Sequence, residues 1–264
     1  MRTFIIMLLS LVVPVVSLPC ADAAEASLEQ LKLQIAARYA ARHPTQWGES
    51  VTGVATRMDT DEMVIALTLD ACGSSTGSGV DSRLIDFLLR RRIPATLFVN
   101  ARWIDANAEL FKSLAANPLF EIANHGTWHK PASVEGRSVY GITGTRDTDE
   151  LVDEIELNAR KIEKISGIRP KLYRSGTAYY DDLAVKVSRE LKHEVAGFSI
   201  LGDAGATFSA AQVEAALVRA APGDIALLHM NHPESGTAAG IMAAIPKLQK
   251  RGFRFVKMSD YPLK

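Results

Sequence analysis

Leu119-Phe120-Glu121-Ile122-Ala123-Asn124-His125-Gly126-Thr127-Trp128-His129-Lys130-Pro131 sets an apolar run directly before two histidines four residues apart. The run reads as a short buried strand, and both histidines follow its C-terminal end. Residues four apart share a face once the chain begins to turn helically. Two imidazoles so placed can close on one ion at the usual Zn–N distance of about 2.0–2.1 Å. With six His in 264 residues, chance alone gives about 0.1 such pairs per chain, so the spacing needs support from elsewhere.

That support comes from the rhythm around it. Upstream, Met63–Leu69 is a buried strand, and Ser82–Arg92 is a helix with Leu84, Ile85, Leu88 and Leu89 on its apolar face. Pro94 ends that helix, Ala95–Val99 is a second strand, and Asp105–Ala116 is a helix leading into the quoted run. Arg90-Arg91-Arg92 is a solvated last helical turn, favoured by the macrodipole. Downstream, Pro131–Asp147 is a long Gly- and Ser-rich loop of the kind that is functional or mobile. Asp147 then opens a helix carrying Leu151, Ile155, Ile162 and Ile165 as far as Gly167. Strands at Lys171–Tyr173, Val195–Ile200, Ile225–Leu228 and Phe253–Val256 alternate with helices at Asp181–Leu191, Ala210–Ala220 and Ala238–Arg251, the last carrying Pro246 as a possible kink. Alternation of this kind predicts parallel βα units. The fold class is α/β, a single distorted (β/α) barrel of about seven parallel strands with its working residues on the C-terminal rim.

The flanks set the boundaries. Met1-Arg2-Thr3 is a basic n-region and Phe4–Val16 an apolar stretch too short to span a bilayer comfortably. Ala21-Asp22-Ala23 offers a cleavage site, so residues 1–23 read as an export signal and the mature chain as periplasmic or secreted, with no stable membrane span. Pro19 before Cys20 does not suit lipidation, and Cys72 is then the one cysteine left, which leaves no internal disulfide. Residues 24–60 form an N-terminal helical segment: Leu28, Leu31, Ile35 and Tyr39 mark an amphipathic helix over 26–43 that packs outside the barrel, with His43 at its solvated end. Residues 61–264 are one domain of catalytic size. Zero formal net charge and a pI near 7.0 point away from nucleic acid or an anionic membrane surface as partner.

Other strands also end on polar residues. The first ends Leu67-Thr68-Leu69-Asp70-Ala71-Cys72-Gly73, where the acid is either a loop cap or a site carboxylate. Further strand ends carry Tyr173-Arg174-Ser175-Gly176, Gly202-Asp203 and Leu227-Leu228-His229. Arg174 and Asp203 are also readable as a structural ion pair. His193 is expected on the opposite rim at the surface, and His232 in a loop.

With these residues in view, the chain resembles the NodB-like polysaccharide deacetylases, carbohydrate esterase family 4, from about Val64 to Ser259. The resemblance rests on Thr68-Leu69-Asp70, His125-Gly126-Thr127-Trp128-His129, Tyr173-Arg174 and Leu227-Leu228-His229. It also rests on Ile93-Pro94-Ala95-Thr96-Leu97-Phe98-Val99 and Gly252-Phe253-Arg254-Phe255-Val256. It implies that His125 and His129 hold a divalent metal, usually zinc, that Asp70 is the general base and His229 the general acid. It further implies that Arg174 orients the base and that Asp203 tethers the arginine, with a shift of one residue open. The substrate class implied is an N-acetylated carbohydrate polymer or oligosaccharide.

Two departures stand out. The family's second acid, a metal ligand, falls at Ala71, and its Pro and aromatic after the arginine fall at Gly176 and Thr177. The expected ligand set is therefore His125, His129 and Asp70. Cys72, which shares Asp70's strand parity, is the other candidate for third ligand, set against a buried inert thiol. A carboxylate restored at position 71 is expected to tighten zinc about tenfold, or about 1.4 kcal/mol. Three functions follow: a metal-dependent hydrolase removing acetyl groups from an N-acetylated glycan, a glycan-binding protein without turnover, and an O-acetyl esterase on the same scaffold.

Overall fold

In the computed structural model, which describes residues 20–74 and 77–264, strand β1 (Val64–Ala71) is buried along its whole length. A strand buried on both faces is a near-continuous apolar run, as β1 is, and its two faces meet different partners. Ile65, Leu67, Leu69 and Ala71 join the core between sheet and helices, whereas Val64 and Ala66 join a second cluster with Phe98, Ala123 and Ile225. Thr68 and Asp70 share the parity of the second set, so the strand delivers its polar residues to the inside of the sheet.

The other strands of its sheet are β2 (Ala95–Val99), β3 (Phe120–Asn124), β4 (Leu172–Tyr173), β5 (Glu194–Val195), β6 (Ile200–Leu201), β7 (Asp224–His229) and β8 (Arg254–Val256). All pairings in this sheet are parallel, in the order β6-β7-β1-β2-β3-β4-β5, and β8 pairs with the first half of β1. Its two ends, β5 and β6, are neighbours in sequence, so the sheet curls into a distorted barrel whose seam lies between them. Across that seam runs the segment before β1: Ala55 N–H donates to Val195 O (2.9 Å), and Met58 N–H to Gly223 O (2.8 Å).

The expected single strand Val195–Ile200 is split in two. Ala196 and Gly197 turn their carbonyls to the Arg174 guanidinium, and a Cβ at Gly197 would meet Val54 Cγ1 at 2.7 Å. The expected helix Asp105–Ala116 is likewise two, α3 (Ala101–Ala106) and α4 (Ala108–Ala115). Asn100 caps the first, and Asn107 ends it with its side-chain amide on Trp103 O and Ser78 O. The remaining helices are α1 (Cys20–Tyr39), α2 (Ser82–Arg91), α5 (Thr148–Ser166), α6 (Asp182–Glu190), α7 (Ala210–Leu217) and α8 (Thr237–Lys250), which continues through Pro246. Helix α1 packs outside the barrel, with Leu28, Ile35 and Tyr39 against Leu151, Ile155 and Val187 of α5 and α6. The expected export signal falls, up to residue 19, outside the described residues. Among the described residues no helix is long and apolar enough to cross a membrane.

His193 is not at the surface. It is 1% exposed between α6 and the sheet, with Nδ1 on Leu191 O (3.0 Å) and Nε2 facing the Asn124 amide (3.5 Å). Burial, with Arg169 adding to it, lowers its pKa from 6.5 to about 4. The imidazole is therefore neutral in the folded protein, while the unfolded chain takes up a proton below 6.5. Stability should fall as pH drops from 6.5 towards 4, by on the order of 3 kcal/mol from this residue. Denaturant unfolding at pH 7 and pH 4.5 should show that loss in the native protein and a smaller one in His193→Gln.

Candidate active site

The polar strand ends converge at the C-terminal end of the barrel. Asp70 and His229 are register partners on β1 and β7, and Asn124 pairs with Tyr173 just before His125 and Arg174. Arg174 is completely buried. Its Nη1 donates to Asp70 Oδ1 and Thr68 Oγ1 (both 2.8 Å), its Nη2 to Gly197 O (2.8 Å) and its Nε to Ala196 O (3.1 Å). The guanidinium carbon also lies 4.1 Å from the centre of the Phe98 ring. A buried ion pair of this kind needs hydrogen-bond partners to be tolerated, and here each guanidinium nitrogen has at least one.

Asp203 does not tether Arg174. Its carboxylate serves His229 instead, accepting from His229 N (2.7 Å) and Thr237 Oγ1 (2.9 Å) and pairing with His229 Nδ1 (2.8 Å). The reason is placement: Asp203 follows β6, next to β7, so His229 is at hand, while two carbonyls, Thr68 and Asp70 already engage every nitrogen of the guanidinium. Burial alone would lower the His229 pKa, but Asp203 and then Cys72 hold it well above the ordinary imidazole value. Its Nδ1 is thus committed to the acid, leaving Nε2 for the site.

The two histidines of the quoted stretch meet edge to face, with ring centres 4.9 Å apart. His125 Nδ1 donates to Arg174 O (2.9 Å), which turns Nε2 towards Asp70 Oδ2 (3.7 Å) and Cys72 Sγ (3.8 Å). His129 adopts a left-handed φ of 63°, and its Nε2 is buried without a hydrogen-bond partner. Among the described residues, Cys72, His125 and His129 bring one donor atom each to within 4.8 Å of one another. A buried orphan imidazole nitrogen in a residue grouped with a thiol and a second imidazole is the donor set of a metal site, so these residues fit a divalent ion. Burial alone would raise the Cys72 pKa; His129, His125 and His229 lower it well below the ordinary thiol value.

Glu154 is a site residue that the sequence reading passes over. It is fully buried on α5 and accepts from the backbone N–H of Trp128 (2.8 Å) and Lys130 (3.1 Å), clamping the loop on either side of His129. Burial pushes its pKa up to about 7 against those same N–H groups. The available signal is its position, three residues after Leu151 and one before Ile155, on the apolar face of an otherwise amphipathic helix. From the other side Gly176 packs on the loop, where a Cβ would meet the His129 backbone at 2.3 Å, so the residue that replaces the family's proline must be this small. His232 stays in its loop, paired with Glu234 (2.9 Å), and His43 is exposed beside Glu135.

The polysaccharide deacetylase family model matches residues 57–196. The chain belongs to the polysaccharide deacetylase family. The match takes in Asp70, Cys72, His125, His129 and Arg174, while Asp203 and His229 come after it. A peptidoglycan-N-acetylglucosamine deacetylase of Bacillus cereus is 26% identical over 205 residues, 76% of this chain and 88% of that protein. Among solved structures, a family 4 carbohydrate esterase pseudoenzyme from Bacillus anthracis superposes with a TM-score of 0.66 at 19% identity, over 78% of this chain and 67% of that one. A family 4 acetyl xylan esterase from Clostridium thermocellum, in complex with a cobalt ion, gives 0.61 at 23% identity, over 75% and 89%. These likenesses show the fold.

In this polysaccharide deacetylase chain, position 71 does not carry a ligand in waiting. Ala71 is fully buried in the core cluster that holds Leu69, Val99 and Trp103, on the helix side of the sheet. The expectation that an acid there tightens zinc loses its geometric ground. Ala71→Asp should instead place a carboxylate among apolar side chains and destabilise the fold by about 3 kcal/mol or more. Urea unfolding together with a zinc titration should show that loss with no gain in affinity.

Proposed function

We propose that this chain is an exported metal-dependent hydrolase that removes acetyl groups from the amino sugars of a glycan. The observation that carries the reading is the pairing of opposites beside one donor cluster. An acid is locked by a buried cation (Asp70–Arg174), and a histidine is locked by a buried acid (His229–Asp203). Zinc is the ion that suits two imidazoles in a site of this kind. Bound by His125 and His129, a divalent ion supplies Lewis-acid polarisation of the acyl oxygen and of the attacking water.

The chain's own residues do the proton work. Arg174 occupies Asp70 Oδ1 and leaves Oδ2, on the histidine side, to take the water proton. His229, held protonated by Asp203, gives a proton to the departing amine, which amide cleavage requires. Phe98 and Ala123, wholly buried on the inner side of the sheet with Asp70, keep solvent from behind the acid. The relatives named for peptidoglycan support a cell-wall amino-sugar substrate, and the apolar stretch at Phe4–Val16 supports export.

Acetate release decides among the readings. Metal-loaded protein should release acetate from peptidoglycan or chitooligosaccharides. Release from acetylated xylan alone would make it an O-acetyl esterase, and binding without release under any metal would leave a glycan-binding protein. In the same assay His125→Ala should lose both metal and activity. His229→Ala should keep its metal and turn over about 100- to 10,000-fold more slowly. Equal metal loss in both variants, measured by elemental analysis, would reverse the assignment of His229.

A further inference from the structure

We propose that Cys72, as a thiolate, is the third protein ligand of the ion held by His125 and His129, and that it makes the site selective for zinc over harder divalent ions. This rests on the metal-dependent reading above and goes beyond it by naming the ligand set and its preference. Three placements carry it.

First, the chain keeps its strand course long enough to aim the thiol. Strand β1 runs through Ala71, whose carbonyl accepts from Asn100 N–H (3.0 Å), so the parity that turns Asp70 inward extends to Cys72. The turn comes only at Gly73, with a φ of 67°. There the backbone passes so close to α3 that a Cβ would meet Trp103 N at 2.4 Å, a contact that fixes where the thiol points. Second, the imidazole nitrogens face it. Arg174 O holds His125 Nδ1, so the free nitrogen is Nε2, 3.8 Å from Cys72 Sγ. His129, whose Nε2 is buried and without a partner, brings one ring nitrogen to the same convergence within 4.8 Å. Third, Asp70 is employed elsewhere. Arg174 takes one of its oxygens, and a carboxylate bound to a metal is a weaker base than a free one. With Cys72 as ligand, Asp70 has no ligand duty to perform.

The chemistry balances simply. As the sulfur–metal bond forms, the thiol proton leaves to the buffer, and no oxidant or reductant takes part. A thiolate with two imidazoles suits zinc and disfavours magnesium and manganese, whose preferred ligands are oxygen. Alkylation of the sulfur needs the same lone pair, so a bound ion should shield it.

Cobalt(II) is the probe, used on the full-length protein after metal removal. The native protein should bind one equivalent and show a sulfur-to-cobalt charge-transfer band in the near ultraviolet. Cys72→Ser should lose the band and bind zinc at least tenfold more weakly. Cys72→Asp should lose the band yet recover most of the affinity, and circular dichroism should show both variants folded. Zinc should slow iodoacetamide labelling of the Cys72 peptide at least tenfold, where magnesium does not. Cobalt bound one to one without the band, and labelling that zinc leaves unchanged, would overturn the thiolate ligand while leaving the metal-dependent reading intact. A folded native protein that binds neither cobalt nor zinc would overturn that reading itself, and the ligand proposal with it.

Discussion

One buried guanidinium ties the barrel's end together. Arg174 arrives on β4, accepts His125 Nδ1 on its own carbonyl, and donates its backbone N–H to Asn124 O at the end of β3 (2.9 Å). Its side chain crosses the interior to Thr68 and Asp70 of β1, and two further donors close on the carbonyls of Ala196 and Gly197 beside the seam. A wholly buried cation is costly unless its nitrogens are hydrogen-bonded and a negative partner is present. Meeting that condition here recruits strands β1, β3 and β4 and the seam at once. The split of the expected strand Val195–Ile200 is one consequence, because its carbonyls are needed inward rather than in a ladder. The fixed tautomer of His125 is another.

The site consists of two separate locks. Arg174 holds Asp70 from the β4 side, and Asp203 holds His229 from the β6 side, with Thr237 of α8 supporting the acid. Asp70 and His229 face each other in register, so the gap between the two locks is set by the spacing of adjacent strands. The third support comes from outside the sheet. Glu154 of α5 and Gly176 hold the His129 loop from opposite sides, which sustains a left-handed backbone at a residue with a side chain.

Much of this is legible in the sequence, for identifiable reasons. Parallel βα units announce themselves by alternation, and a polar residue after an apolar strand marks the C-terminal rim, so Asp70, His125, Arg174 and His229 can be picked out without coordinates. What depends on the third dimension is harder to see. Asp203's true partner is 26 residues away on an adjacent strand, and the choice between Arg174 and His229 rests on which strand neighbours β6. The fate of Ala71 and Cys72 turns on a single residue of strand length. If the chain left the strand early, the parity argument would fail, and it is the hydrogen bond from Asn100 that extends it. Glu154 and His193 are polar residues at buried positions: helical spacing does carry the first, while the second sits in the turn between α6 and β5, where no periodicity marks it. The breaks at Asn107 and Gly197 arise from side-chain amides and carbonyls engaged by distant groups.

Charge explains why a cysteine can stand where a relative's acid would. Arg174 with Asp70, and Asp203 with protonated His229, are each neutral pairs, so neither offsets the charge of an ion placed between them. Two neutral imidazoles would leave a divalent ion with its full double charge in a buried site, an arrangement costly in desolvation. One anionic ligand would bring the net charge to plus one and still leave the ion able to supply Lewis-acid stabilisation of developing negative charge. A carboxylate at the strand end meets that requirement, and so does a thiolate one residue later. Ala71 therefore does not by itself imply a lost function: with Cys72 in the donor cluster, as proposed, the anionic ligand would be displaced along the chain rather than deleted.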